Sequence, residues 1–97
     1  MRYLRVQWLH SHPDEPVTLY SELDDEGREV RKVEIFGDGH IGFASATEAV
    51  GSTVLGEKPV PPLEEIAADC EFRPSTISKE DFEAVWARRF SPIRSTA

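Results

Sequence analysis

Hydrophobic and polar positions alternate along the first half of the chain and then change period. From Tyr3 to His10 the apolar residues Leu4, Val6 and Trp8 are separated by Arg5 and Gln7, the pattern of a half-buried strand. The stretch His10-Ser11-His12-Pro13-Asp14-Glu15-Pro16 breaks that alternation and reads as a loop. A second strand follows over 17–23, with Val17, Leu19 and Leu23 on one face and Thr18, Tyr20 and Glu22 on the other. Asp24-Asp25-Glu26-Gly27 suits a type I turn closed by a left-handed glycine. The third strand, 28–36, is imperfect: Val33 and Ile35 share one parity, Val30 and Phe36 the other. Either a bulge shifts its register or its far face is also covered. Gly37-Asp38-Gly39 then makes a hairpin turn into a fourth strand, 40–44, which sends Ile41 and Phe43 inward. Gly42, on the opposite parity, marks a bulge or a close backbone approach.

Beyond Ala44 the period lengthens. Thr47 to Val50 reads as one helical turn, and Val54-Leu55 as a short extended piece. Pro59, Pro61 and Pro62 impose an extended approach to a helix over about 63–70, whose stripe is Leu63, Ile66, Ala67 and Cys70. Pro74 ends that helix. Ser78 is placed as the N-cap of a second helix reaching Phe90, with Asp81 three residues on and a stripe of Phe82, Val85, Trp86 and Phe90. The expected fold is α+β: a four-stranded antiparallel meander with two C-terminal helices packed on one face. That face would gather Leu4, Val6, Trp8, Val17, Leu19, Val33, Ile35, Ile41 and Phe43, with Trp86 packing on Trp8 or its neighbours. The ordered core is expected at about 2–90, with 91–97 a frayed tail.

Length and composition narrow the class. Ninety-seven residues build one domain, and 39% hydrophobic with 30% charged residues suits a single core under a soluble surface. Cys70 is the only cysteine, so no internal disulfide forms; this fits a reducing, cytoplasmic setting. No signal peptide and no run of about 18 apolar residues is evident, so no membrane role is expected. The net charge of −7 disfavours nucleic acid and favours encounter with a basic protein.

The phrases WLHSHPDEPVTLYSELD, RKVEIFGDGHIGFA, LGEKPVPPLEEIAADCEF and ISKEDFEAVWA occur in order between Tyr3 and about Arg88. Together they resemble a family of short bacterial proteins catalogued only as a domain of unknown function. The resemblance implies a stand-alone bacterial cytosolic domain. It implies no reaction and no catalytic residues.

The candidate chemistry is of three kinds. His10, His12, Asp14 and Glu15, joined in space by His40, form the densest set of polar ligands. They lack a helical His-x-x-x-His pair and read more simply as loop residues. No metal, cofactor or catalytic residue is assigned. Cys70 reads as a buried structural thiol and Gly37-Asp38-Gly39 as a turn, not a phosphate loop. Tyr20 and Phe36 fall on one outer sheet face, either as a contact patch or buried by residues 45–60. Glu22, Asp24, Asp25, Glu26 and Glu29 crowd one hairpin, as a solvated turn or as an acidic prong. The expected function is non-catalytic protein binding, with Tyr20, Phe36 and those five acids masking a basic partner in the manner of an immunity protein or antitoxin. The alternatives are a small-molecule or hydrolytic site at His10, His12 and His40, in a cleft between the first loop and residues 45–60, and a structural homodimer joined through the outer face or an edge.

Overall fold

The computed structural model describes residues 1–90, so the tail expected at 91–97 lies outside the described residues. Strands β1 (Arg2–Trp8), β2 (Pro16–Leu23), β3 (Glu29–Phe36), β4 (Ile41–Ala44), β5 (Ala49–Val50) and β6 (Phe72–Thr76) form one antiparallel sheet in the order β5-β4-β3-β2-β1-β6. Helices α1 (Leu63–Ala67) and α2 (Lys79–Ala87) complete the α+β domain. The four expected strands are present as a meander, and two more extend it to six. Residues 49–50, expected in a helical turn, instead pair with Phe43 and Ala44. Residues 72–76 pair along most of β1, from Trp8 opposite Phe72 to Leu4 opposite Thr76. Pro74 is tolerated there because β6 is an edge strand, where a missing N–H costs no ladder bond.

Both glycine turns form as the sequence predicts. Gly27 takes φ 81° and donates its N–H to the carbonyl of Asp24 at 3.0 Å; Gly39 takes φ 93° and donates to Phe36 at 2.9 Å.

The register of β2 against β3 decides which side chains share a face. Leu23 pairs with Glu29, but Glu22 pairs with Arg31, so Val30 is an extra residue on β3. Continued without that bulge, the pairing would set Leu19 opposite Val33. With it, Leu19 faces Glu34 and Tyr20 faces Val33. A one-residue slip moves a strand's side chains to the other face. The single apolar face expected from parity is therefore two faces. Leu4, Val6, Trp8 and Leu19 lie on one; Val33, Ile35, Ile41 and Phe43 lie on the other.

The helices consequently sit on opposite faces, not together. Helix α2 covers the Val33–Phe43 side, where the Phe82 ring lies 5.5 Å from Tyr3 and the Trp86 ring 5.7 Å from Phe43. Trp86 does not pack on Trp8; Trp8 lies on the α1 face, 5.5 Å from Phe72. Ser78 caps α2 as expected, accepting from the Asp81 N–H at 3.0 Å, though the helix ends at Ala87 and not at Phe90.

Gly42 marks a close approach. Its Cα lies against residues 50–53, so a methyl group there would collide with Thr53 Oγ1 and come within 3.1 Å of the Val50 carbonyl oxygen. Thr53 is buried and donates to Glu34 at 2.8 Å, so it has no easy retreat. Gly42→Ala is expected to destabilise the fold by about 1–3 kcal/mol, the usual cost of overpacking. Urea unfolding measures it; an unchanged midpoint would mean that residues 50–53 are not seated on β4.

Candidate functional site

On the α1 face the chain leaves a groove of about 380 Å³. Its floor is Leu4, Val6, Leu19, Ser21 and Phe72, its roof Val60, Pro61 and Ile66; Glu65 and Asp69 stand at its rim, and Glu29, its side chain 8% exposed, lies within. The roof is held off the sheet by local sequence. Val60 donates its N–H to the carbonyl of Gly27 at 2.8 Å, tying the proline-rich approach to the β2–β3 turn. Pro62, extended at φ −58° and ψ 154°, is the N-cap of α1 and not its first helical residue. The helix then runs only to Ala67, with no fully buried residue, and roofs the groove without filling it.

A second depression, of about 250 Å³, adjoins the first across Leu19. Trp8, Pro16, Phe36 and Glu34 line it, with Asp14 and Glu15 from the first loop and Gly51 and Ser52 opposite. This is the cleft expected between the first loop and residues 45–60, but carboxylates line it and histidines do not. Among the described residues, no Lys or Arg lines either depression. Lys32 bridges two of the lining acids themselves, Glu29 at 3.4 Å and Glu34 at 3.9 Å, and Arg28 donates to the Glu57 carbonyl.

The structure separates the residues expected to act together. Tyr20 shares the α2 face with Val33, whereas Phe36 is buried on the other side with its ring stacked on His40 at 4.2 Å. They form no common patch. Three of the five hairpin acids are occupied internally. Glu22 is buried and accepts from Tyr3 Oη at 3.0 Å and Arg31 Nε at 2.6 Å; Arg31 also reaches Glu83 of α2 at 2.6 Å. The Arg31 guanidinium holds both carboxyls below their usual range, and they in turn raise its own pKa. Glu29 accepts from the Gly56 N–H at 2.6 Å and from Ser21 Oγ at 3.3 Å. Asp24 Oδ1 accepts from the N–H groups of Arg28 and Glu26, and the Arg28 bond foremost lowers its pKa. Asp25 and Glu26 remain exposed at the turn, a much smaller prong than the sequence suggests.

The histidines brace loops. His10 Nε2 lies 2.8 Å from the Pro16 carbonyl oxygen, and its Nδ1 accepts from the His12 N–H at 2.9 Å. His40 pairs with Asp38 two residues back on an exposed turn, and that pairing, led by the His40 backbone N–H, lowers the Asp38 pKa. Among the described residues no group of three or more His, Cys, Asp or Glu is placed to hold a metal ion. Cys70 is exposed, contrary to the buried thiol expected, because α1 stops before it. The acids Glu65, Asp69 and Glu34 and the ring of Trp8 were not singled out from the sequence as site residues. The readable signal was the run Glu64, Glu65, Asp69 and Glu71 beside Ile66, in which no Lys or Arg intervenes.

No helix of the described residues is long and apolar enough to cross a membrane. Residues 2–91 match the family model described as Domain of unknown function (DUF6881). No curated protein and no solved structure gives a significant match.

Proposed function

The chain belongs to this family of unknown function, and we propose that its role is non-catalytic protein binding, with a basic partner received on the α1 face. One observation carries the reading: two adjoining depressions combine apolar surfaces with carboxylates and, among the described residues, have no lining cation. Apolar centres with a charged border are the usual build of a protein contact surface. The contact surface proposed is thus the α1 side, in place of the hairpin acids and the Tyr20–Phe36 pair. Masking a basic partner, as an immunity protein or antitoxin does, is the form of binding that suits a small domain of charge −7.

The test begins with affinity capture from the source organism, followed by stopped-flow association with the purified partner. The association rate is expected to fall at least tenfold between about 50 and 500 mM salt. Charge reversal at Glu64 and Glu65 should slow it further with the fold intact. A rate insensitive to both salt and these substitutions would overturn the reading. A small-molecule role has one observation in its favour, since about 380 Å³ lies within the size of ligand pockets. The homodimer alternative finds less support: β5 has two residues and β6 carries Pro74, so both sheet edges are poor templates for pairing.

A further inference from the structure

Resting on that reading, we infer the chemistry of the docked segment: an extended stretch with a large apolar side chain followed, two residues on, by Arg or Lys. The apolar side chain enters the α1 groove and the cation enters the Trp8–Phe36 depression. The two depressions differ in what they offer. The first presents Leu4, Val6, Phe72 and Ile66, a surface that gains by losing water. The second sets two aromatic walls beside Asp14, Glu15 and Glu34, the pairing of π faces with carboxylates that suits a guanidinium or ammonium. Glu34 is fixed by accepting from Thr53 and already has Lys32 Nζ 3.9 Å away, so the acids at the mouth carry the recognition of the incoming cation. Asp14 and Glu15 stand exposed at the mouth. The span follows from the strand beneath. Val6 lines the first depression and Trp8 the second, two residues along β1, roughly 7 Å at the usual rise. An extended chain presents residues i and i+2 on one side at that same spacing. Charge complementarity selects the occupant: a second copy of this chain would bring −7 against the same acidic rims, and a nucleic acid would bring its phosphates.

The probe is a blocked pentapeptide, acetyl-Gly-Leu-Gly-Arg-Gly-amide, titrated into the ¹⁵N-labelled chain by NMR. Two companions replace Leu by Gly or Arg by Gln, and oligoarginine and octylamine are run beside them. The expected result is that backbone signals of Val6, Leu19 and Ile66 and the Trp8 indole signal move together. Each companion should bind about five- to tenfold more weakly, because each lacks one of the two anchoring side chains. Glu15→Lys should weaken the Leu/Arg peptide by a similar factor and leave the Leu/Gln peptide unchanged. Movement confined to one depression, or equal binding by either companion, overturns the inference. So does octylamine binding as tightly as the peptide, which would make the site one for small amphiphiles. If oligoarginine binds in a salt-dependent way while the Leu/Arg peptide leaves both depressions unmoved, the inference falls and the basic-partner reading stands. If no basic probe binds, both fall.

Discussion

Phe82→Ala is expected to remove about 3–5 kcal/mol of stability, a large share of what a domain of this size has to lose. Phe82 has no exposed surface. Its ring touches Tyr3 of β1 at 5.5 Å, stacks along Trp86 at 6.4 Å and carries the Arg31 guanidinium 4.9 Å above its centre. Removing the ring leaves a cavity between α2 and the sheet that neither can close, because Ser78 fixes where the helix begins. Trp86→Ala should cost less, since Trp86 is only half-buried. Urea unfolding followed by circular dichroism gives both values, and Phe82→Leu should recover more than half of the loss. A Phe82→Ala midpoint indistinguishable from the parent would mean that α2 does not seal this face.

That the helix seals the Val33–Phe43 face, and not the Leu4 face, is the part of the fold the sequence concealed. Strand existence was legible, because alternation and glycine turns are local signals. The side each strand presents was not, because it hangs on whether Val30 is counted in the ladder. The irregular parity of residues 28–36 announced both possible causes, a bulge and a covered far face, and the structure contains both. Strand β6 was hidden for another reason. Pro74 argues against a strand in general, and only its position at the sheet edge makes the pairing with Val6 possible. The candidate site was less legible still. Glu22 and Glu29 look like surface acids in sequence, yet Arg31, Gly56 and Ser21 occupy them. Glu65 and Asp69 gain their meaning from the groove beside them, which exists only because α1 is too short to fill it.

The second large effect is expected at Arg31, which joins the sheet to α2 through Glu22 and Glu83. Arg31→Met loses the guanidinium that lies over Phe82 and Trp86 but leaves an unbranched apolar side chain in its place, so packing alone does not decide the outcome. The charge does. Glu83 has a side chain 41% exposed and can turn to water, whereas that of Glu22 is 8% exposed and would keep Tyr3 as its side-chain donor. A buried carboxylate stripped of its cation costs about 3–5 kcal/mol. The loss should depend on pH in a defined direction. Both carboxyls titrate below their ordinary value of 4.5 in the folded parent. Their contribution is therefore complete above that value and disappears as the pH falls through the lowered folded values. In Arg31→Met, acid does the opposite, protonating Glu22 and relieving the uncompensated charge. The stability gap between parent and variant should thus be largest near neutral pH and narrow below about pH 4. Adding Glu22→Gln to Arg31→Met should restore at least half of the loss and remove the variant's share of the narrowing, leaving only the parent's own loss as its lowered carboxyls take up protons. Chemical denaturation of the three proteins at about pH 7 and about pH 3.5 measures both effects. A gap that stays constant with pH would assign the role of Arg31 to packing over Phe82 and Trp86 instead of to its bond with Glu22.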